Sequence, residues 1–114
     1  MMRRVVLESP FAAANGPTRQ HHITYAQACL RDCLFRGEAA IASHLIYPQV
    51  LSDSNPTERE LGIEAGLAWS EVADATIAYV DHGISDGMKR GIERAHLEGR
   101  PVEYRRLHAN KSEQ

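Results

Sequence analysis

The sequence has no long hydrophobic run. A helix that crosses a bilayer needs roughly 20 consecutive apolar residues, and no stretch of this chain approaches that length. The N-terminal segment MMRRVVLESP has too short an apolar region for a secretory signal peptide. We therefore expect a cytoplasmic protein without membrane contact.

The sequence also lacks an excess of charge of either sign. Its 13 Lys and Arg residues nearly balance its 15 Asp and Glu residues, which leaves a formal net charge of −2 at pH 7. Proteins that bind polymeric nucleic acid draw much of their affinity from a basic surface that neutralises phosphates. The near-neutral composition therefore disfavours nucleic acid as a partner.

Cysteine is scarce. The two cysteines, Cys29 and Cys33, lie four residues apart in a segment with helical periodicity. In a reducing cytosol such thiols remain free, and a metal site at this pair would need two further ligands. No motif identifies a metal or a redox cofactor, so we expect no cofactor.

Short β-branched segments and helical segments alternate along the chain. The length of 114 residues suits a single domain over residues 1–114. Apolar periodicity predicts strands over residues 3–9, 39–43, 75–80 and 101–107. It predicts helices over residues 25–35, 57–69 and 85–97. At the start of the second helix, Thr57 and Glu60 have the spacing of a capping box.

This alternation predicts a small doubly wound α/β domain. Strand–helix–strand units favour right-handed crossovers and a parallel sheet that helices cover on both faces. We predict a flavodoxin-like or Rossmann-like sheet of four parallel strands in the order 2-1-3-4. Ligands of such sheets bind beyond the carboxyl ends of the strands, near the point where the strand order reverses. Strands one and three should flank that crevice.

Polar residues follow the predicted strands at these carboxyl ends. Because the ends of parallel strands meet at one edge of the sheet, we expect the polar side chains to form one binding site. The candidate ligand-binding residues are Glu8, Ser9, Asn15, Ser43, His44, Asp81, Ser85, Asp86, Gly87 and Met88.

The turn before the third helix has two interpretations. Gly83 and Gly87 allow close backbone approach, and the free N–H groups of the helix start could hold a phosphate or a carboxylate. Alternatively, Ser85 or Asp86 is simply the N-cap of the helix.

Other polar residues are equally open. His44 is either a general base or phosphate donor, or a loop histidine with structural hydrogen bonds. The basic residues near the fourth strand bind either a phosphate or nearby acids. These residues are Arg100, Arg105 and Arg106.

Four segments, in this order, carry a family resemblance: VVLESPFA, RGEAAIASH, NPTERELGIEAGLAW and GISDGMKRGIERA. They resemble the nucleoside 2-deoxyribosyltransferase-like superfamily, in particular its small phage and bacterial members of uncharacterised function, of the DUF7768 and DUF4406 kind. The resemblance covers residues 5–107. It implies a flavodoxin-like sheet, a site for a nucleoside or nucleotide, and a homo-oligomer. Enzymes of the superfamily break an N-glycosidic bond with a carboxylate that attacks the anomeric carbon of the sugar.

The resemblance fails at the catalytic position. Alignment of GMKRGIERA with the GMELGYA-like segment of the transferases puts Lys89 in place of the nucleophilic glutamate. An ammonium group cannot replace that carboxylate, because the reaction needs an anionic oxygen to trap an oxocarbenium-like sugar. The acids that could substitute are Glu8, Glu58 and Glu93. We favour Glu8, Asp81 and Asp86 as contacts around the sugar over any of these as a nucleophile.

Two functions therefore stay open. One is an enzyme that acts on the N-glycosidic or phosphate-linked part of a nucleoside or nucleotide. The alternative is a non-catalytic phage-type binder that sequesters a nucleotide-derived signalling molecule. In either case the apolar loop LIYPQVL and Trp69 are the predicted contacts between subunits.

Overall fold

The computed structural model describes residues 2–11 and 16–108, with the side chains of residues 16 and 17 left aside. Strands and helices alternate through these ranges, and two short 3-10 helices follow the second strand. In chain order the elements are β1 (Arg3–Glu8), α1 (Gly16–Phe35), β2 (Glu38–Ile41), the 3-10 helices Ser43–Leu45 and Tyr47–Gln49, α2 (Pro56–Ser70), β3 (Ala75–Tyr79), α3 (Asp86–Leu97) and β4 (Val102–Arg105). Within the described ranges, no helix has both the length and the apolar character needed to cross a membrane.

The strands form one parallel sheet in the order β2-β1-β3-β4, which confirms the predicted order. Val5 of β1 lies opposite Ala40 of β2 on one side and Ala75 of β3 on the other. Ile77 of β3 pairs in turn with Glu103 of β4. The chain leaves β1 for one edge strand and returns past it to β3, so the strand order reverses beside β1.

Each face of the sheet has its own apolar core, because side chains alternate along a strand. On one face Val5 and Ile77 pack with residues of α1, including both cysteines. On the other face Ala78 packs with Met88 and Ile92 of α3. Helices therefore cover both faces, which confirms the doubly wound α/β class. Both cysteines are buried free thiols, as predicted.

Helix α1 begins at Gly16, well before the predicted start at residue 25. The segment RQHHIT between these two points has no apolar stripe, so periodicity gave no sign of a helix there. Its arginine and glutamine have good helix propensity, and Pro17 stands in the first turn, where no helical hydrogen bond needs its missing N–H. Local propensity therefore extended the helix beyond its apolar part.

Helix α2 is capped by Asn55, and the predicted capping box of Thr57 and Glu60 is wrong. The Asn55 side-chain oxygen accepts hydrogen bonds from the backbone N–H groups of Thr57 (3.0 Å) and Glu58 (3.1 Å). Pro56 follows at the first helical position, where its fixed backbone angle suits a helix. Asparagine before proline is thus a sufficient start signal, because it satisfies two of the free N–H groups.

Helix α3 is capped by Ser85, whose Oγ accepts a hydrogen bond from the Met88 N–H at 3.3 Å. Of the two residues proposed as the cap, Ser85 has this role and Asp86 is the first helical residue. Gly83, two residues earlier, has a φ of +83°, a conformation that favours glycine. The turn therefore requires Gly83 for its backbone.

Candidate functional site

A cavity of about 320 Å³ lies on the face of the sheet that α2 and α3 cover, at the carboxyl ends of β1 and β2. The two 3-10 helices close one side of it. Seven of the predicted ligand-binding residues line this cavity, and they come from three separate segments of the chain. They are Glu8, Ser9, Ser43, His44, Ser85, Gly87 and Met88.

Glu8, the last residue of β1, presents its carboxyl group to the cavity. The group packs so closely against α3 that a methyl group at Gly91 would overlap Glu8 Oε2. Among the described residues, no group forms a hydrogen bond or ion pair with this carboxyl, whose oxygens are accessible from the cavity. Burial raises the pKa of Glu8 to about 8, and the charge of Arg100 offsets only part of that rise. Glu8 therefore holds its proton at neutral pH.

Ser9 and His44 form a hydrogen-bonded pair beside Glu8. Ser9 Oγ and His44 Nε2 are 2.7 Å apart, and the direction of the hydrogen bond depends on the imidazole tautomer. The edge of the Phe11 ring packs on His44 with 5.7 Å between ring centroids. Burial lowers the pKa of His44 to about 4, so the ring is uncharged at neutral pH. An uncharged imidazole next to a hydroxyl can accept a proton from it, so the general-base interpretation of His44 stays open.

The other cavity carboxylates are already bound. Asp53 Oδ2 accepts a hydrogen bond from Arg19 Nη1 at 3.0 Å. Glu58 Oε1 accepts one from the Ser52 backbone N–H at 2.8 Å. In the part of the chain that the structure describes, Glu8 is thus the cavity carboxyl left without a protein partner.

Glycines of α2 let this helix approach the 3-10 helices. A methyl group at Gly66 would lie 2.5 Å from Ser43 Oγ, and one at Gly62 would lie 3.3 Å from Leu51 Cδ1. Side chains at either position would therefore push the cavity wall outward. In α3, Gly91 has a comparable close contact with Glu8, whereas Gly87 has open space around it.

Aromatic side chains that sequence reasoning did not assign to the site complete its wall. Tyr47 and Trp69 both line the cavity, and Trp69 Nε1 donates a hydrogen bond to Tyr47 Oη at 2.9 Å. Trp69 is 52% exposed, so the indole is neither a core residue nor enclosed by the described part of the chain. Its accessible ring offers a flat apolar surface to a ligand or to another subunit.

Asp81 does not line the cavity. The prediction that it lies beside Glu8 is wrong, because its side chain is on the α1 face of the sheet. Its Oδ1 accepts hydrogen bonds from Tyr25 Oη (2.6 Å) and the Leu107 N–H (2.9 Å), and its Oδ2 accepts one from the His108 N–H (3.1 Å). Burial opposes the charge, but these hydrogen bonds outweigh it and lower the pKa of Asp81. They also direct the backbone after β4, which ends at Arg105 and not at residue 107 as predicted.

Asp86 also lies outside the cavity, and its side chain is fully exposed. Lys89, which the resemblance aligns with the nucleophile of the transferases, points to solvent with 60% of its side chain exposed, and its Nζ lies 3.8 Å from Asp86 Oδ1. The predicted arrangement of Glu8, Asp81 and Asp86 around one sugar is therefore not present. Glu93 is exposed and does not line the cavity either. Asn15 lies outside the described residues.

Two of the basic residues near β4, Arg100 and Arg105, are paired with acids. Arg105 donates to both carboxylate oxygens of Glu38 at 2.8 and 2.7 Å, and also to Glu103. The hydrogen bonds from Arg105 are the main reason that the pKa of Glu38 falls to about 2. Arg100 bonds to Glu98. For these two arginines the structure favours acid pairing over a phosphate site.

Metal binding has no support in the described ranges, which contain no group of three or more His, Cys, Asp or Glu side chains arranged to hold an ion. The cavity is therefore a mixed polar and aromatic site with one uncommitted carboxyl, an uncharged imidazole and the start of a helix. Such a site suits a small organic ligand with both flat and polar parts.

Known proteins share this fold. A 2-deoxyribosyltransferase from the psychrotolerant bacterium Bacillus psychrosaccharolyticus superposes with a TM-score of 0.64 over 90% of this chain and 72% of its own, at 19% sequence identity. At this identity the match shows a common fold. No curated protein matches the chain.

A family match covers nearly all of the described chain. The family described as Domain of unknown function (DUF7768) matches residues 3–105, a range that runs from the first residue of β1 to the last residue of β4. The relation to DUF4406 and a phage origin stay predictions. The chain belongs to the DUF7768 family, with the fold of a nucleoside deoxyribosyltransferase.

Proposed function

We propose that the protein binds a nucleoside or nucleotide in the cavity between α2, α3 and the 3-10 helices, and that Glu8 acts on the N-glycosidic bond of this ligand. The observation that carries the proposal is the carboxyl group of Glu8, which faces the cavity without a partner among the described residues. Glu8 is half-buried, and its carboxyl opens to the cavity instead of pairing with another group of the protein. A ligand in the cavity can supply the hydrogen-bond partner that the protein does not.

The dimensions and lining of the cavity support this ligand class. Its volume of about 320 Å³ lies at the lower end of the range for small-molecule sites. The rings of Tyr47 and Trp69 offer surfaces on which a base can stack. The transferase from Bacillus psychrosaccharolyticus, which shares the fold, is by its description a 2-deoxyribosyltransferase used in nucleoside synthesis.

Glu8 supplies the chemistry that Lys89 lacks. Cleavage of a glycosidic bond needs a group that protonates the leaving base and an anionic oxygen that stabilises or traps the sugar cation. With a pKa of about 8, Glu8 carries a proton at neutral pH and can donate it to the leaving base. Once it has done so, the same group is a carboxylate next to the sugar.

The second candidate is a binder that leaves its ligand intact. It is favoured by Lys89, which stands at the position of the family nucleophile and extends into solvent away from the cavity. In that case Glu8 donates a hydrogen bond to the ligand and no bond breaks.

One experiment separates the two. The purified protein is incubated with a panel of nucleosides, nucleotides, NAD and cyclic nucleotides, and free base is measured by mass spectrometry alongside calorimetric binding. We expect base release or binding that Glu8→Gln loses and that Glu93→Gln, an exposed α3 acid outside the cavity, retains. Base release identifies the enzyme, and recovery of intact ligand after heat denaturation identifies the binder. Absence of binding across the panel would overturn both.

The oligomer is a separate part of the proposal. Ile46, Val50, Leu61, Trp69 and Val72 are exposed apolar residues of the 3-10 region and α2 and its C-terminal end. Contact between two such surfaces would cover them and the open side of the cavity. Light scattering should give a mass above that of a 12.7 kDa monomer at micromolar concentration. A cytoplasmic location stays a prediction.

A further inference from the structure

Arg100 has a buried donor that nothing in the described residues accepts. Its side chain, which follows α3, is only 5% exposed. Nε donates to Thr76 Oγ1 at 3.1 Å and Nη1 donates to Glu98 Oε1 at 2.6 Å. Nη2 is buried and finds no hydrogen-bond partner in the described ranges. A buried charged donor without an acceptor is unusual in a native fold and carries a cost.

Glu8 is the complementary group on the same face of the sheet. In the β1–β3 register Thr76 lies opposite Val6 and Ala78 lies opposite Glu8. Positions two residues apart on a strand share a face and are separated by about 7 Å. The guanidinium held by Thr76 therefore lies below the carboxyl group of Glu8. Its charge is close enough to counter part of the rise that burial causes in the pKa of Glu8.

We propose that Arg100 is the buried countercharge of Glu8: Thr76 and Glu98 hold its guanidinium beneath the cavity, where it stabilises Glu8 once that carboxyl has lost its proton. Arg100 does not line the cavity, so it is a positioning residue that acts through Glu8. The inference rests on the proposed function for the use that a ligand makes of Glu8. The electrostatic pairing itself is a property of the protein without ligand.

Other ionisable residues that line the cavity are uncharged at neutral pH, paired with other groups or exposed. The titratable and charged residues that line the cavity with Glu8 are His44, Asp53, Glu58, Arg59 and Arg90. His44 is uncharged at neutral pH and bonds to Ser9. Arg90 forms two hydrogen bonds to Glu60, at 3.2 and 2.9 Å. Among the described charges, Arg100 is the one that shifts the pKa of Glu8.

The pairing gives Glu8 two usable states. With its proton, Glu8 donates to a base or a ligand oxygen. Without it, the carboxylate has a positive charge below it and a ligand above it, so a developing anion is stabilised by a group that is already in place. A buried carboxyl with no countercharge would have only the first state at neutral pH.

The test measures the pKa of Glu8 in the ligand-free protein by carbon-detected NMR of side-chain carboxyl groups, with Glu8→Gln to assign the signal. Arg100→Met should raise the pKa of Glu8 by about one unit or more, as expected when an opposite charge nearby is removed. Arg100→Lys, which keeps the charge, should give a smaller rise. Arg90→Gln is the matched control, because Arg90 lines the cavity yet is paired with Glu60, and it should leave the pKa of Glu8 unchanged.

A second variant decides the question if Arg100→Met does not fold. Glu98→Gln removes the acid that competes with Glu8 for the guanidinium, so the pKa of Glu8 should fall. An unchanged pKa of Glu8 in Glu98→Gln, or in folded Arg100→Met, overturns the inference whether or not a nucleoside binds. Shifts in the expected directions without binding of any nucleoside would overturn the proposed function alone.

Discussion

Two acids that end or follow neighbouring strands, Asp81 and Glu8, have opposite environments. Asp81 follows β3 and faces α1; burial opposes its charge, but hydrogen bonds from Tyr25 of α1 and from two backbone N–H groups after β4 hold its carboxylate and lower its pKa. Glu8 ends β1 and faces α3, where burial raises its pKa to about 8 and no described donor binds it. The two side chains leave the same edge of the sheet in opposite directions, and only one of them enters a cavity.

This difference separates a structural face from a functional one. On the α1 face, Tyr79 is satisfied by Asp32 and Arg105 by Glu38. On the other face the Glu8 carboxyl opens to the cavity without such a partner, against a helix that carries glycine at the point of contact. A desolvated carboxyl that no protein group binds commonly marks a functional site.

The largest expected effect is the pH dependence that Glu8 imposes on stability. Its pKa is about 8 in the folded state and 4.5 in the unfolded chain, so folding takes up a proton between these values. Stability contributed by Glu8 is therefore present below about pH 4.5 and is lost as the pH rises toward 8, by about 1.4 kcal/mol per unit over that interval. In denaturant unfolding, the unfolding free energy of wild type should therefore fall relative to that of Glu8→Gln as the pH rises.

The control for this measurement lies within the same pair of proteins. His44 has its pKa lowered to about 4, so its contribution to stability increases with pH and opposes that of Glu8. Because both proteins carry His44, its contribution cancels in the difference. The interval from about pH 5 to pH 8 lies between the unfolded and folded pKa values of Glu8. If the difference in unfolding free energy between the two proteins is constant over this interval, the raised pKa of Glu8 is contradicted.

Loss of the Asp81 carboxylate should have the next largest effect. Asp81→Ala leaves the Tyr25 hydroxyl and the amides of Leu107 and His108 without their acceptor. We expect a loss of about 1.5–3 kcal/mol in unfolding free energy, the range for hydrogen bonds to a charged group. Ligand binding per folded molecule should not change. A binding defect at a temperature where the variant is folded would place Asp81 back at the site.

Gly91→Ala tests how tightly Glu8 is held against α3. The new methyl group overlaps the Glu8 carboxyl, so we expect a loss of about 1–3 kcal/mol, as for other overpacked sites. In a Glu8→Ala background the overlap disappears, and the same change should stabilise α3 by about 0.5–1 kcal/mol. Chemical denaturation of the four proteins gives the coupling. Equal effects of Gly91→Ala in both backgrounds would show that Glu8 is not at this contact.

Substitutions of Ser85 and Asp86, the adjacent residues at the start of α3, should have different effects. Ser85→Ala removes the side-chain acceptor of the Met88 N–H, with an expected cost of about 1 kcal/mol. Asp86→Ala removes a fully exposed carboxylate and should change stability and ligand affinity little. Melting curves and calorimetry on both variants check this. A large loss of affinity in Asp86→Ala would restore its predicted role as a ligand contact.

The smallest effect is expected at Lys89, the position that the resemblance aligns with the nucleophile of the transferases. Lys89→Glu introduces the glutamate that this alignment implies, but the side chain at this position is exposed and lies outside the cavity. We expect a change in stability within about 0.5 kcal/mol, as for ordinary surface sites, and no gain in release of free base. A variant that gains base release would show that position 89 can reach the ligand.

Much of the fold followed from local patterns. Alternating apolar periodicities predicted the strands and the crossover rule a parallel sheet, within which 2-1-3-4 was the preferred of several possible orders and is confirmed. The start of α1 was missed because RQHHIT carries no apolar stripe, and the cap of α2 was misplaced because Asn55 and Pro56 were not recognised as a start signal. These errors concern element ends, where one side chain decides the boundary.

The site was predictable only in part, and for a geometric reason. The convergence of parallel strand ends brought Glu8, Ser9, Ser43 and His44 together as expected. The aromatic wall of Tyr47 and Trp69 was not predicted as part of the site, since it depends on how the 3-10 helices fold back onto α2. No local pattern in the sequence specifies that packing.

By itself, the sequence determined the parallel sheet and the edge at which its polar residues gather, because these depend on periodicity and on the handedness of short crossovers. The tertiary structure alone decided which acids share a cavity. Glu8 and Asp81 lie at the ends of adjacent strands, yet their side chains pack against helices on opposite faces of the sheet. Whether each carboxyl group is held by hydrogen bonds or is left free depends on the donors that packing places around it.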